Sequence, residues 1–338
     1  MLGLALVACG GSSDEGKSTP STGGSGGATG GAAGAGGGGG ASGGSSGAGG
    51  GGGAGGGAGS GGAPSCSLPP LAAGTSKLDI TSSGLARTAN LVVPKSYAGA
   101  QAAPLVLVFH GYLGNAGQMQ DITGLDAVAE QNGVVLAYAQ GLSTSWNAGK
   151  CCGTSASTNK PDVQFVSDLI DAIAQKVCVD PKRVYVTGFS NGAMLSSRLA
   201  CELSTKIAAF APVSGPLAID TCAPVRPMPM IAFHGTSDIV VPYNGGGLGG
   251  ALSAPAGFDL WKTKGACTDA SPVTVFKNGD TTCVEYQQCG AGAAVRQCTI
   301  EGGGHQWPGG KSVGIGKVST DVKASEELMK FFLAHPMP

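Results

Sequence analysis

The chain has 338 residues, of which 62 are glycine and only 12% are charged, and its formal net charge is −1. With no basic run and no basic helix face, nucleic acid is excluded as a partner. No later apolar stretch has the length of a bilayer-spanning helix, and the cysteine and histidine spacings match no metal site, so neither a span nor a metal is expected.

In chain order, residues 1–22 read as the remnant of an export signal followed by a polar start. Leu6-Val7-Ala8-Cys9 resembles the bacterial lipobox, which makes Cys9 the expected lipid attachment and the only expected link to a membrane. No basic segment precedes it, a departure from a full signal peptide. Residues 23–65 are almost entirely Gly, Ala and Ser. They offer no side-chain surface to offset the entropy of ordering and read as a flexible linker. Collagen is excluded because the glycines keep no period of three and prolines are lacking between Gly23 and Gly62. A tether of about forty such residues has an r.m.s. span of roughly 35 Å. Residues 66–338 are long enough for one domain with a substantial core.

Within that domain, 78–80 and 87–93 predict an antiparallel hairpin. The runs 105–109, 134–138, 184–187, 208–213 and 230–233 are short and apolar without alternation, as in a parallel sheet covered on both faces. Helix-like segments at 125–131, 162–176, 191–203 and 322–333 separate or follow them. The pattern is that of a doubly wound α/β domain.

Gly188-Phe189-Ser190-Asn191-Gly192 matches G-x-S-x-G, directly after one strand and before a helix. The sharp turn needs small neighbours, and Gly188 and Gly192 supply them. Ser190 is therefore the candidate nucleophile. Of the four histidines, His335 sits at the chain end, while His110 and His234 precede the usual position of the base. His305, in a Gly-rich loop after the last strand-like run, is the candidate base. Asp238, just past the 230–233 strand, is the candidate acid; Asp259 and Asp269 follow no strand end. The order Ser…Asp…His is that of the α/β-hydrolases. The oxyanion donors expected are the backbone N–H groups of Asn191 and Tyr112. A histidine base implies that kcat/KM rises with pH as the imidazole loses its proton.

Eleven cysteines less Cys9 leave ten, an even number that suggests disulfides in an exported chain. Cys283 and Cys298 can face each other across a hairpin, Cys267–Cys289 is a further candidate, and Cys201 can tie the helix after Ser190 to Cys222. Pairing among Cys66, Cys151, Cys152 and Cys178 stays open.

His110-Gly111-Tyr112, the loop 145–153 (SWNAGKCCG), 184–192, 198–202, 234–238 and 303–309 (GGHQWPG) occur together and in order. Jointly they resemble the secreted polyhydroxybutyrate depolymerase/feruloyl esterase family from about Leu85 onward. The resemblance implies an α/β-hydrolase ester hydrolase without metal or organic cofactor, with its triad on Ser190, Asp238 and His305. The substrate implied is a feruloyl or acetyl ester of plant polysaccharide, or a polyhydroxybutyrate-type polyester. A monomer at the cell envelope or outside the cell is expected. A peptidase of the prolyl oligopeptidase type is the first rival, but those carry a large extra domain. A dead, carbohydrate-holding lipoprotein is the second, but the triad is complete. Only 214–229 separate the strands where a lid is often inserted, so an open site without a cap is expected. Trp146 and Trp307 are expected to line it as exposed stacking platforms.

Overall fold

The computed structural model describes residues 66, 68, 71–99 and 101–338. The expected lipid attachment at Cys9 and the linker over 23–65 lie outside the described residues. Ten strands form one sheet: β1 (Gly74–Ser82), β2 (Leu85–Val93), β3 (Ala103–Phe109), β4 (Val135–Ala139), β5 (Val179–Phe189), β6 (Ala209–Val213), β7 (Met230–Gly235), β8 (Val273–Asn278), β9 (Thr281–Tyr286) and β10 (Val295–Ile300). Their order is β1-β2-β4-β3-β5-β6-β7-β10-β9-β8. The six strands from β4 to β10 in that order are parallel to their neighbours. The β1–β2 hairpin and the β9–β8 pair close the two edges antiparallel.

The parallel strands are continuous apolar runs because both faces are covered. Every residue of β3, β4, β6 and β7 is buried. Helices α1 (Ala116–Thr123), α2 (Leu125–Asn132) and α7 (Ala324–Ala334) pack on one face, contributing Met119, Leu125, Leu328 and Phe332 to its core. Helices α4 (Asp162–Ala174), α5 (Asn191–Glu202) and α6 (Ala254–Lys264) cover the other with Phe165, Leu169, Leu195 and Trp261. A short α3 (Gly153–Ser157) precedes α4. This is the mostly parallel, doubly wound sheet of the α/β-hydrolases. Residues 214–229 hold no helix or strand and build no cap. The sequence reading passed over α1, α6 and β8. Both helices are weakly patterned, and the residues of β8 are mostly exposed.

Five disulfides cross the domain. Cys283–Cys298 joins residues in direct register on β9 and β10, and Cys201–Cys222 ties α5 to the 214–229 segment. Cys267–Cys289 forms as expected, and the cysteines left open pair as Cys66–Cys178 and Cys151–Cys152. On the α4 face, Arg87 of β2 donates from Nη2 to Asp162 Oδ1 at 2.7 Å with both side chains fully buried, and its guanidinium lies 3.6 Å from the Phe165 ring centroid.

Candidate active site

Ser190 caps the N-terminus of α5 between β5 and the helix, with φ 56° and ψ −119°. A non-glycine residue there is strained, and its neighbours must hold it. A Cβ on Gly188 would overlap the Gly192 carbonyl, and one on Gly192 would overlap the Phe109 carbonyl at the end of β3. The room predicted for these two glycines is therefore required by the turn. Ser190 N–H donates to the Val213 carbonyl at the end of β6 (2.9 Å), fastening the turn to the neighbouring strand.

Asp238 lies in the loop after β7 and is buried. Its Oδ1 accepts the backbone N–H groups of Val240 and Val241, both at 2.9 Å. Its Oδ2 accepts Nδ1–H of His305 at 2.7 Å. That bond fixes the tautomer, so neutral His305 carries its lone pair on Nε2. His305 sits beside the nucleophile turn, its ring centroid 4.7 Å from that of Phe189. The loop that carries it approaches β7 so closely that a Cβ on Gly235 would strike the Gly303 carbonyl. The elements that hold Ser190, Asp238 and His305 thus lie together at the ends of β5, β7 and β10. Asp259 falls within α6, and Asp269 accepts the Gln288 N–H at 2.7 Å.

The loop after β3 also approaches Ser190. A Cβ on Gly111 would lie 3.4 Å from Ser190 Cβ, which puts the Gly111–Tyr112 segment against the serine. His110 braces this loop. Its Nδ1–H donates to the Gly111 carbonyl (2.8 Å), and its Nε2 accepts the Gly141 N–H (3.0 Å). Such a ring must be neutral, and burial lowers its pKa to about 4. Asn191 opens α5, as expected of an oxyanion donor, and its side chain has a second task that sequence reasoning missed. Asn191 Oδ1 accepts the Trp146 N–H at 2.7 Å, and Nδ2 donates to the Trp146 carbonyl at 3.1 Å.

The two tryptophans are not where the sequence reading put them. Trp146 and Trp307 are both fully buried. Trp146 packs between Phe109 and Phe165 and donates from Nε1 to the His110 carbonyl at 2.9 Å. Trp307 belongs to the core under α7 and donates from Nε1 to Ser325 Oγ at 3.0 Å. An indole with its N–H paired inside a core has more to gain from burial than from a wet loop. Neither ring can stack on a substrate; both anchor loops.

The exposed apolar side chains near the site are others. Tyr112 and Leu113, just past His110, are 40% and 65% exposed, and Ile239, the neighbour of Asp238, is 81% exposed. Leu113 is held at φ 63° while its N–H donates to the Thr144 carbonyl (2.8 Å), and Thr144 itself has φ 53°. Positive φ is costly for a leucine, and the loop keeps it there. Tyr112 drew notice in the sequence only for its backbone N–H; nothing in an isolated sequence marks these three side chains as exposed, because their exposure follows from how the loops turn.

Comparison with known proteins finds esterases. The family model described as esterase PHB depolymerase matches residues 88–244. Feruloyl esterase B of Piromyces equi is 36% identical over 234 residues, covering 64% of this chain and 42% of that protein. A bifunctional acetylxylan esterase/xylanase of Neocallimastix patriciarum is 29% identical over 226 residues, covering 66% of this chain and 31% of that protein. The chain therefore spans less than half the length of these two relatives. The acetyl xylan esterase of Aspergillus awamori superposes with a TM-score of 0.56 at 15% identity, over 77% of this chain and 99% of that one, a likeness of fold. The family-model match over residues 88–244 and the similarity to feruloyl esterase B support a polyhydroxybutyrate depolymerase/feruloyl esterase-like family for this α/β-hydrolase domain.

Proposed function

We propose that the domain is a serine carboxylic ester hydrolase with Ser190 as nucleophile, His305 as general base and Asp238 as the acid that orients it. The observation that carries this reading is the 2.7 Å Asp238–His305 bond placed beside a strained serine turn at a helix N-terminus. Ser190 Oγ attacks the acyl carbon as its proton passes to His305 Nε2. The resulting oxyanion is met by the N–H groups of Asn191 and Tyr112, aided by the positive end of α5. His305 then protonates the departing alcohol, leaving an acyl-serine. Water, deprotonated by the same imidazole, releases the acid and restores Ser190. Two backbone donors and one general base suffice for acyl transfer, so the cycle needs neither a metal nor an organic cofactor.

The substrate proposed is a feruloyl or acetyl ester of plant polysaccharide, or a polyhydroxybutyrate-type polyester. The uncapped sheet edge and the apolar side chains of Tyr112, Leu113 and Ile239 support an ester with an extended apolar part. Five disulfides support an oxidising compartment, and with it export and attachment through Cys9. No nucleic acid and no partner chain is required.

The test is turnover of p-nitrophenyl acetate, methyl ferulate and a hydroxybutyrate oligomer by the wild type and Ser190→Ala. Ser190→Ala is expected to abolish turnover of all three and covalent labelling by a fluorophosphonate, with an unchanged melting curve. Retained turnover in that variant excludes the mechanism.

A further inference from the structure

Among the buried groups that the proposed mechanism leaves unused, His234 stands nearest to the reacting machinery. It lies on β7 within a strand buried on both faces and is 3% exposed. Its Nε2 is 2.8 Å from the Val241 carbonyl and 3.5 Å from Asp238 Oδ2. A carbonyl only accepts, so Nε2 carries the proton and donates it. Val241 is the same residue whose N–H donates to Asp238 Oδ1 at 2.9 Å. A continuous chain of bonds therefore runs from His234 through both polar groups of Val241 to one oxygen of Asp238. From the other oxygen it continues to His305.

Upstream, the loop is held by the Thr236 and Ser237 N–H groups on the Ile300 and Gly303 carbonyls, both at 2.9 Å, and the Val241 side chain is buried in the core. The polar partner of the buried Val241 carbonyl is the His234 ring. Removing that bond leaves the carbonyl unpaired and loosens the backbone of the residue whose N–H aims Asp238. We propose that His234 is a positioning residue: it ties the Val241 backbone, through its carbonyl, down onto β7 and thereby holds the Val241 N–H, and with it the Asp238 carboxylate, in line with His305.

The surroundings of the ring fit a neutral, fixed donor. The titratable groups facing it are Asp238 on its own loop, His305 from the loop after β10, and Tyr243 from the segment leading to α6. The Tyr243 ring stands edge-on at 5.8 Å, and its hydroxyl is bonded to Thr299 Oγ1 at 2.9 Å. Thr299 is the register partner of His234 on β10, and Gln297, Phe258 and Trp261 line the cavity behind the ring. Burial is the main cause that lowers the pKa of His234, and the nearby His305 lowers it further, against the raising effects of Val241 and Asp238. A neutral His234 keeps a single N–H directed at Val241 and adds no second positive charge beside the His305 imidazolium that forms in the reaction.

The proposal rests on the serine esterase reading, and its test separates the two. His234→Gln places an amide N–H near the position of Nε2, His234→Asn places it near Nδ1, and His234→Leu removes it. The expected result is a kcat for p-nitrophenyl acetate lowered about 10- to 100-fold in the Asn and Leu variants, with KM little changed and the Gln variant largely restored. Once Asp238 swings free, His305 loses its partner, and the downfield proton resonance of the His305–Asp238 bond should weaken in the Asn variant. An unmoved resonance in the Asn variant, or a Gln variant no better than Asn, overturns the proposal. Should Leu fail to fold, the Asn and Gln pair decides. If the wild type neither turns over esters nor takes up a fluorophosphonate, the esterase reading has failed. The proton resonance still reports whether His234 positions Asp238.

Discussion

The side chain of Asn191 bonds both backbone polar groups of Trp146, accepting its N–H at 2.7 Å and donating to its carbonyl at 3.1 Å. The residue that follows the proposed nucleophile thereby fastens the 145–153 loop to the start of α5. Trp146 in turn donates to the His110 carbonyl, on the loop that carries the proposed second oxyanion donor. One amide thus links the nucleophile turn to that loop.

Asn191→Ala leaves the buried Trp146 N–H unpaired, worth about 1–3 kcal/mol, while the Trp146 carbonyl keeps the N–H groups of Ala148 and Cys152. We expect a lower urea midpoint and a kcat reduced for every ester, since both oxyanion segments lose their brace. An Ala variant with wild-type stability would mean that water replaces the amide and that the brace is dispensable.

Replacing the tryptophans should be blind to substrate. Trp146→Phe and Trp307→Phe each remove a buried N–H donor and are expected to cost about 1–3 kcal/mol in urea unfolding. The ratio of kcat/KM for methyl ferulate to that for p-nitrophenyl acetate should stay unchanged. A selective loss on ferulate would return an indole to the substrate.

The apolar rim should behave in the opposite way. Leu113→Asn keeps a side chain that tolerates positive φ, and Ile239→Ser changes a largely exposed position, so neither should alter the melting temperature much. Both are expected to weaken kcat/KM for bulky or polymeric esters more than for p-nitrophenyl acetate. Equal effects on all substrates would remove the rim from substrate recognition.

His110 gives the fold a defined acid sensitivity. Burial holds its pKa at about 4 against an ordinary 6.5, so between those values the unfolded chain binds a proton that the folded one does not. Stability from this group is full above pH 6.5, falls by about 1.4 kcal/mol per unit as pH drops through that window, and levels off below it. His234 and His335 shift in the same direction. His110→Gln should flatten, without abolishing, the decline in unfolding free energy measured from pH 7 to 5. An unchanged slope would show that the ring already protonates in the folded state.

The sheet and the order of the candidate triad were legible in the sequence because each rests on local patterns. Short apolar runs ending in glycine mark buried parallel strands, and G-x-S-x-G after such a run specifies a turn with its own steric needs. The hairpin cystines were legible for the same reason, since Cys283 and Cys298 flank one turn. What the two tryptophans do was decided elsewhere. Trp146 is buried by Phe109, 37 positions away, and by Phe165 on α4, and Trp307 by a serine on α7. Whether an indole faces water depends on what distant segments bring to it, and no local pattern carries that information. The exposure of Leu113 depends likewise on backbone held by the far-off Thr144 carbonyl. The chain from His234 through Val241 to Asp238 exists because a loop folds back onto its own strand. Spacing along the chain determined which residues stand at the sheet edge; only tertiary packing determined which of them face the substrate and which hold the others in place.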